Sequence, residues 1–230
     1  MGYSRAGFDP YGIDNKPQKH YPFPFLCMDA LEALDRLIKG EGLTFSNGET
    51  LYLRDFSAIH ASPPCQGYYY ATKDDSKWVS YSRGKQTPKL INEIRERLKS
   101  TNKPYVIENV RGASKELNGQ ILLCGTMFGL PITRHRIFDC SVFFFLPSHN
   151  HNNISIKYAN EHGLNYRDMS VTGKGRNSGC LDTWKTIMGI DWKISQSEIV
   201  EAIPPAYTKF IGKYLMQESL KIKDLTGELT

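Results

Sequence analysis

The chain has 230 residues, 40% of them hydrophobic, and a formal net charge of +5 at pH 7. A chain of this length and composition can bury one sizeable core, which predicts one domain with a smaller appendage. The modest positive charge suits a nucleic-acid partner without requiring one. The sequence has no apolar run of about 18 residues and no signal-peptide pattern, which argues against a membrane protein and predicts a soluble, cytoplasmic one.

The hydrophobic pattern predicts alternating strands and helices. Strands are predicted near residues 10–14, 25–28, 57–61, 104–108, 120–124 and 135–145, and helices near 29–39, 88–101 and 196–215. Residues 40–55 contain Asn47-Gly48 between two apolar runs, which predicts a hairpin with a tight turn. Alternation of this kind is typical of an α/β fold with a mostly parallel sheet and helices on both faces.

Acidic residues follow the first two predicted strands. Asp14 ends the first strand, and Asp29 repeats the arrangement one strand later. A carboxylate in this position can accept hydrogen bonds from the ribose hydroxyls of a nucleotide cofactor. The pair is therefore a candidate cofactor site.

Residues 61–66, with the sequence Ala-Ser-Pro-Pro-Cys-Gln, are the most informative segment of the chain. Proline fixes its own φ and pushes the residue before it into an extended conformation. Pro63 and Pro64 should therefore hold the thiol of Cys65 in one direction at the carboxyl end of a strand. In an open α/β sheet that end is where ligands bind, so Cys65 is a candidate nucleophile.

Two later segments place charged groups at or near the ends of apolar strands. Glu108 and Asn109 end the run that begins Tyr-Val-Ile, and Arg134 and Arg136 precede the pair Ile-Phe. Taken singly, such residues more often cap turns or lie in solvent than act in catalysis. Their order behind the Pro-Pro-Cys segment is what makes them informative.

Pro-Pro-Cys-Gln, Glu-Asn-Val and Arg-x-Arg, in this order, resemble motifs IV, VI and VIII of the DNA (cytosine-5) methyltransferases. Residues 124–130 resemble motif VII, and residues 202–212 resemble motif X in its phage-type variant. The resemblance covers nearly the whole chain. It implies a Rossmann-like fold that uses S-adenosylmethionine, with double-stranded DNA as the partner of a monomer.

The resemblance also implies catalytic roles. Cys65 matches the thiolate that adds to carbon 6 of cytosine and so makes carbon 5 reactive. Glu108 matches the acid at ring nitrogen 3, and Arg136 matches the arginine at the carbonyl oxygen, with Arg134 as its partner near the nucleophile loop. The target base has to be flipped out of the duplex to reach these groups.

For the methyl donor, Asp14 with Ile13 matches motif II, and Asp29 with Ala30 matches motif III. Pro63 is expected to contact the same cofactor. The strand and glycine-rich turn of motif I are not found ahead of these motifs. We expect a start placed at an internal methionine, although a strand supplied by a separate polypeptide and an inactive remnant are alternatives.

Candidate DNA contacts surround the catalytic motifs. Gln66 and Asn109 adjoin them, and Arg83 and Lys85 belong to a basic, aromatic-rich loop after the nucleophile. That loop has Tyr69 where the family commonly has a serine, so it departs from the family pattern at its phosphate contact. The alternative for the loop is a solvated segment without fixed contacts.

Three regions are predicted. Residues 1–146 should form the catalytic core, 147–186 a short irregular target recognition region that includes Arg176, and 187–230 helices that return to the core. The alternative for 147–186 is a surface loop without base contacts.

The 5 cysteines show no paired spacing, which is typical of a reducing compartment. Cys124 lies in an apolar run and is predicted to be a buried small hydrophobe. His149, His151, His162 and Cys180 match no usual zinc spacing, so no metal site is predicted.

Two alternatives from other functional classes remain open. One is a non-catalytic DNA-binding remnant that has lost the cofactor. The other is a relative of thymidylate synthase, whose family expects histidine where this chain has Gln66.

Overall fold

A computed structural model of the chain describes residues 1–68, 88–118, 121–171 and 179–226. The strands are β1 (Gly12–Asp14), β2 (Phe25–Cys27), β3 (Leu43–Thr44), β4 (Thr50–Leu51), β5 (Ile59–Ala61), β6 (Tyr105–Asn109), β7 (Ile121–Leu123) and β8 (Arg136–Cys140). The helices are α1 (Ala30–Ile38), α2 (Ile91–Ser100), α3 (Ile154–Glu161), α4 (Leu181–Met188), α5 (Gln196–Glu201) and α6 (Pro205–Thr226).

Four strands form the main sheet in the order β5-β6-β8-β7. β5 and β6 run parallel, whereas β8 is antiparallel to both of its neighbours. Residues 124–135 join β7 to β8 through a 3-10 turn at Gly125–Phe128 and a loop, instead of the α-helix that usually crosses between parallel strands. The sheet is therefore mixed, and the prediction of a mostly parallel sheet is wrong for it. β1 and β2 form a separate parallel pair.

Helices pack on both faces of the main sheet. Successive residues of β6 point to opposite faces, so that Ile107 packs in one cluster with Leu98 of α2. Val106 packs in another cluster with Ile211 of α6. The sheet thus has helices packed on both of its faces, which confirms the predicted α/β class and the predicted covering of both faces.

The predicted helix over residues 196–215 is two helices in the structure. Ser195 caps α5 through a reciprocal pair of hydrogen bonds with Glu198, and α5 ends before Ala202, whose ψ is 154°. Pro204 and Pro205 disfavour helical geometry in the residues that precede them. Proline is well tolerated in the first turn of a helix, so α6 begins anew at Pro205.

The stretch predicted to be irregular, 147–186, contains two helical segments and part of a third. They are α3, a 3-10 turn at Tyr166–Met169 and most of α4, which crosses the predicted boundary at 186. A separate hydrophobic cluster joins these segments to α5, and Trp184 at 1% exposure lies within it. Residues 154–202, where described, thus form a small helical layer with its own core, and the prediction of irregular structure is wrong there.

The predicted hairpin is confirmed. β3 pairs antiparallel with β4, and Gly48 between them has a φ of +84°, a conformation that glycine adopts without strain. None of the described helices combines the length and apolar character needed to cross a membrane.

Candidate active site

The predicted catalytic motifs meet at one edge of the main sheet. Because β5 and β6 are parallel, their carboxyl ends share an edge, and antiparallel β8 begins at the same edge. Cys65 follows β5 by a short turn, Glu108 lies near the end of β6, and Arg136 is the first residue of β8. The register pairs Glu108 directly with Phe138, two residues from Arg136.

Asn109, the last residue of β6, holds the Pro-Pro-Cys turn in place by a hydrogen bond. Its side-chain Nδ2 donates to the carbonyl oxygen of Pro63 at 2.9 Å, and its Oδ1 accepts from the backbone N–H of Val110 at 2.9 Å. Asn109 is 1% exposed. Both ends of this buried amide are engaged within the protein, and the contact of Asn109 with DNA stays a prediction. In the fold, Asn109 positions the turn that carries Cys65.

Glu108 is a nearly buried carboxyl with a charged partner. Its side chain is 10% exposed, and Arg136 Nε donates to its Oε1 at 2.9 Å. Burial raises the pKa of Glu108, while the charge of Arg136 and a hydrogen bond from Ser62 act in the opposite direction. The net effect is an acid that keeps its proton to a higher pH than an ordinary glutamate.

Arg134 is held differently from the prediction. It is 8% exposed, and its guanidinium donates to the carbonyl of Val171 at 2.9 Å and to that of Val200 at 2.6 Å. These bonds tie the sheet edge to the helical layer. Arg134 acts on Glu108 through its charge, which lowers the pKa of that carboxyl.

A chain of hydrogen bonds leads to Glu108 from the N-terminal segment. The Tyr3 hydroxyl lies 2.6 Å from His60 Nδ1, and His60 Nε2 lies 3.0 Å from Ser62 Oγ. Ser62 in turn bonds the carboxyl of Glu108. Burial lowers the pKa of His60 to about 4, so its ring is neutral at pH 7 and has one donor and one acceptor nitrogen. Sequence reasoning missed these three residues.

His60 should make the fold sensitive to acid. Its folded pKa of about 4 lies below the ordinary 6.5, so the unfolded chain takes up the proton first as the pH falls. The stabilisation is fully present above pH 6.5 and is lost as the pH falls toward 4, by at most about 3 kcal/mol. Urea unfolding at several pH values should show a steeper loss for the natural chain than for His60→Gln. His162→Gln, at an exposed position, is the control, and equal slopes in all three would contradict the prediction.

Asp14 and Asp29 lie at the ends of the neighbouring parallel strands β1 and β2. Asp14 accepts from the N–H of Lys16 at 2.8 Å and from Gln18 Nε2 at 3.1 Å. Asp29 caps α1, and its Oδ1 accepts from two backbone N–H groups of the first turn. These bonds fix both carboxylates at the strand ends. Because a carboxylate oxygen can accept more than one hydrogen bond, each can still accept from a ligand.

The remaining residues predicted to contact the cofactor or the DNA differ in their burial. Ile13 packs against the apolar cluster beneath α1, whereas Ala30 is exposed at the start of that helix. Pro63 is buried, and Gln66 is exposed in the 3-10 turn after Cys65. The remaining predicted DNA contacts, Arg83, Lys85 and Arg176, lie outside the described residues.

A cavity of about 410 Å³ opens between the sheet edge and the helical layer. Arg134 and Arg136 line it from the sheet side, and Tyr166, Arg167 and Ser170 line it from the other. Guanidinium and hydroxyl groups around such a space suit a polar, planar ligand with negative charge nearby. Arg136 belongs both to this cavity and to the ion pair with Glu108.

Comparisons with known proteins give no match for this chain, either among protein-family models or among curated proteins.

Proposed function

We propose that the chain is a DNA (cytosine-5) methyltransferase with a Rossmann-like core. The observation that carries the proposal is the meeting of the Cys65 turn, Glu108 and Arg136 at one sheet edge. The buried bond from Asn109 to the carbonyl of Pro63 supports it, because it gives the turn a fixed position beside Glu108. The α/β architecture with helices on both faces is compatible with this class of enzyme.

The proposed reaction begins with Cys65. Its thiolate forms a bond to carbon 6 of a flipped cytosine, and the electron pair of the carbon 5–carbon 6 double bond shifts into the ring. Glu108 gives a proton to ring nitrogen 3, and Arg136 stabilises the charge on the adjacent carbonyl oxygen. Carbon 5 would then accept the methyl group of bound S-adenosylmethionine, which leaves as S-adenosylhomocysteine. Loss of the carbon 5 proton to a base would then expel the thiolate, and the proton on ring nitrogen 3 would return to Glu108, which restores the ring.

The raised pKa of Glu108 supports the acid role. A carboxyl whose pKa is raised by burial keeps its proton to a higher pH than a solvated glutamate does, and a retained proton can be donated to the ring. The chain from Tyr3 through His60 and Ser62 holds the carboxyl in one orientation. Arg136 limits the rise in the pKa and connects the acid to the cavity.

S-adenosylmethionine is the proposed cofactor, and when bound it supplies the methyl group. The carboxylates at the ends of β1 and β2 fit its polar groups. Asp14 would accept from the ribose hydroxyls and Asp29 from the adenine amino group, with Ile13 and Ala30 beside them. Pro63, in the turn that follows β5, would contact the same cofactor.

Double-stranded DNA is the proposed substrate. The target base would enter the cavity beside Arg136, and the helical layer on the far side of that cavity would act as the target recognition region. Arg167 is the cation on that layer that lines the cavity. Gln66 is exposed next to Cys65 and would contact the DNA around the flipped base.

The direct test is methyl transfer. The chain is incubated with unmethylated DNA and S-adenosylmethionine, and the DNA is digested to nucleosides and analysed by mass spectrometry. The proposal predicts 5-methylcytosine with the natural chain and none with Cys65→Ala. DNA binding without cofactor binding or methylation would instead support a non-catalytic remnant.

A further inference from the structure

Four metal-ligating side chains converge at the strand ends next to the candidate active site. They are Cys124, His135, His149 and His151, and their ligand atoms all lie within 4.8 Å of one another. The three histidine Nε2 atoms form a triangle with sides of 3.3, 3.2 and 3.0 Å. Cys124 Sγ lies 3.7 Å from His151 Nε2. None of the four takes part in the proposed methyl transfer.

These distances are close to those of a tetrahedral zinc site. Zn–N bonds of about 2.0–2.1 Å and a Zn–S bond of about 2.3 Å place the nitrogens about 3.4 Å apart and the sulfur about 3.6 Å from each nitrogen. The nitrogen triangle and the shortest sulfur–nitrogen distance match this pattern closely. The other two sulfur–nitrogen distances, at no more than 4.8 Å, require only a small closing movement.

Hydrogen bonding among the rings does not account for the arrangement. A neutral imidazole presents either an N–H or a lone pair at Nε2, so three Nε2 atoms in mutual contact cannot all be matched as donor and acceptor. Protonation of the rings would bring like charges together. A cation at the centre removes the conflict, because each Nε2 can then direct a lone pair at it.

We propose that Cys124, His135, His149 and His151 bind one Zn²⁺ ion. A thiolate with three imidazoles is a donor set that suits zinc and not the oxygen-seeking Mg²⁺ or Ca²⁺. Four protein ligands leave no open position for water or substrate, which defines a structural site. The Thr126 hydroxyl lies 3.3 Å from Cys124 Sγ and donates to it, the kind of outer hydrogen bond that steadies a ligand.

The pairing of β7 with β8 brings two of the four proposed ligands together. Leu123 pairs with Arg136 across β7 and β8, so the adjoining Cys124 and His135 lie next to each other. The other two ligands lie on the segment that leaves β8 toward α3, so the ion ties the entry of the helical layer to the sheet edge. Arg136 Nη1 also donates to the carbonyl of His135 at 2.9 Å, which links the ion to the Arg136–Glu108 pair. The metal site does not depend on the proposed methyl transfer.

The test is metal content of the full chain, prepared without a polyhistidine tag. We expect one zinc ion per chain by elemental analysis after dialysis against a weak chelator. Co²⁺ in place of Zn²⁺ should give the visible bands of a tetrahedral ion and a near-ultraviolet thiolate band that is lost in Cys124→Ser. Because His149 and His151 are exposed, His149→Ala and His151→Ala should fold normally and bind metal at least about tenfold more weakly.

Two matched controls separate the site from adventitious binding. His162→Ala and Cys180→Ser change exposed residues of the same types outside the cluster and should leave metal content and the cobalt spectrum unchanged. The proposal is overturned if the folded natural chain takes up neither zinc nor cobalt. It is also overturned if the two controls lose as much metal as His149→Ala and His151→Ala.

Discussion

Cys65→Ala is expected to abolish the exchange of the cytosine carbon 5 hydrogen with solvent deuterium, a reaction that the natural chain should catalyse in DNA. Addition of the thiolate to carbon 6 makes carbon 5 basic enough to take a deuteron from water. Reversal of the addition, with loss of the original proton, leaves deuterium on the ring. The exchange consumes no methyl donor, so it tests the nucleophile independently of the cofactor. Removal of a nucleophile should lower the rate by about 10³-fold or more.

The measurement is mass spectrometry of nucleosides after incubation of DNA with the chain in deuterated water. Cys180→Ala is the matched control, because that cysteine is exposed and distant in sequence from the motifs. Binding of the same DNA should be nearly unchanged in Cys65→Ala. If Cys65→Ala exchanges hydrogen as fast as the natural chain, the nucleophile is not Cys65.

The local features of the site could be predicted from the sequence. Two prolines after a short apolar run predict the end of β5 and a stiff turn after it. The same holds for the hairpin at Asn47-Gly48 and for the capping of α1 by Asp29. In each of these cases the determining residues lie within a few positions of one another.

Partners that come from distant parts of the chain could not be predicted in this way. Asn109 was predicted to contact DNA, and its bond to the carbonyl of Pro63, which follows from the parallel pairing of β5 with β6, was not predicted. Arg95 on α2 is a clearer case, since a charged residue on a helix is normally exposed. The packing of α2 buries it against Asp139 of β8, with Nε and Oδ2 3.0 Å apart.

The candidate metal ligands also come from distant parts of the chain, and their grouping could not be predicted from the sequence. Usual zinc spacings place two ligands a few residues apart in each half of the site. Here His149 and His151 have such a spacing, but Cys124 and His135 are brought together by the antiparallel pairing of β7 with β8. The spacing of His149, His151, His162 and Cys180 therefore led to the prediction of no metal site, whereas the fold brings the first two together with different residues.

Glu108→Gln is expected to slow methyl transfer and hydrogen exchange by about 10²–10⁴-fold, the usual contribution of a positioned acid. Glutamine keeps the shape of the side chain and can donate a hydrogen bond, but it cannot give a proton to ring nitrogen 3. Glu93→Gln is the matched control, because that side chain is 59% exposed on α2. Its rate should equal that of the natural chain.

The pH profile distinguishes an acid from a residue that only supports the structure. Because burial raises the pKa of Glu108, the protonated form persists above the ordinary range near 4.5 and is lost as the pH rises through the raised value. The rate of the natural chain, divided at each pH by the rate of Glu108→Gln, should therefore fall over that interval. The division removes the pH dependence of the nucleophile and of DNA binding, which both chains share, and glutamine does not titrate. A ratio that stays constant with pH would rule out proton donation by Glu108, and Glu108 would then be limited to holding Arg136 at the cavity.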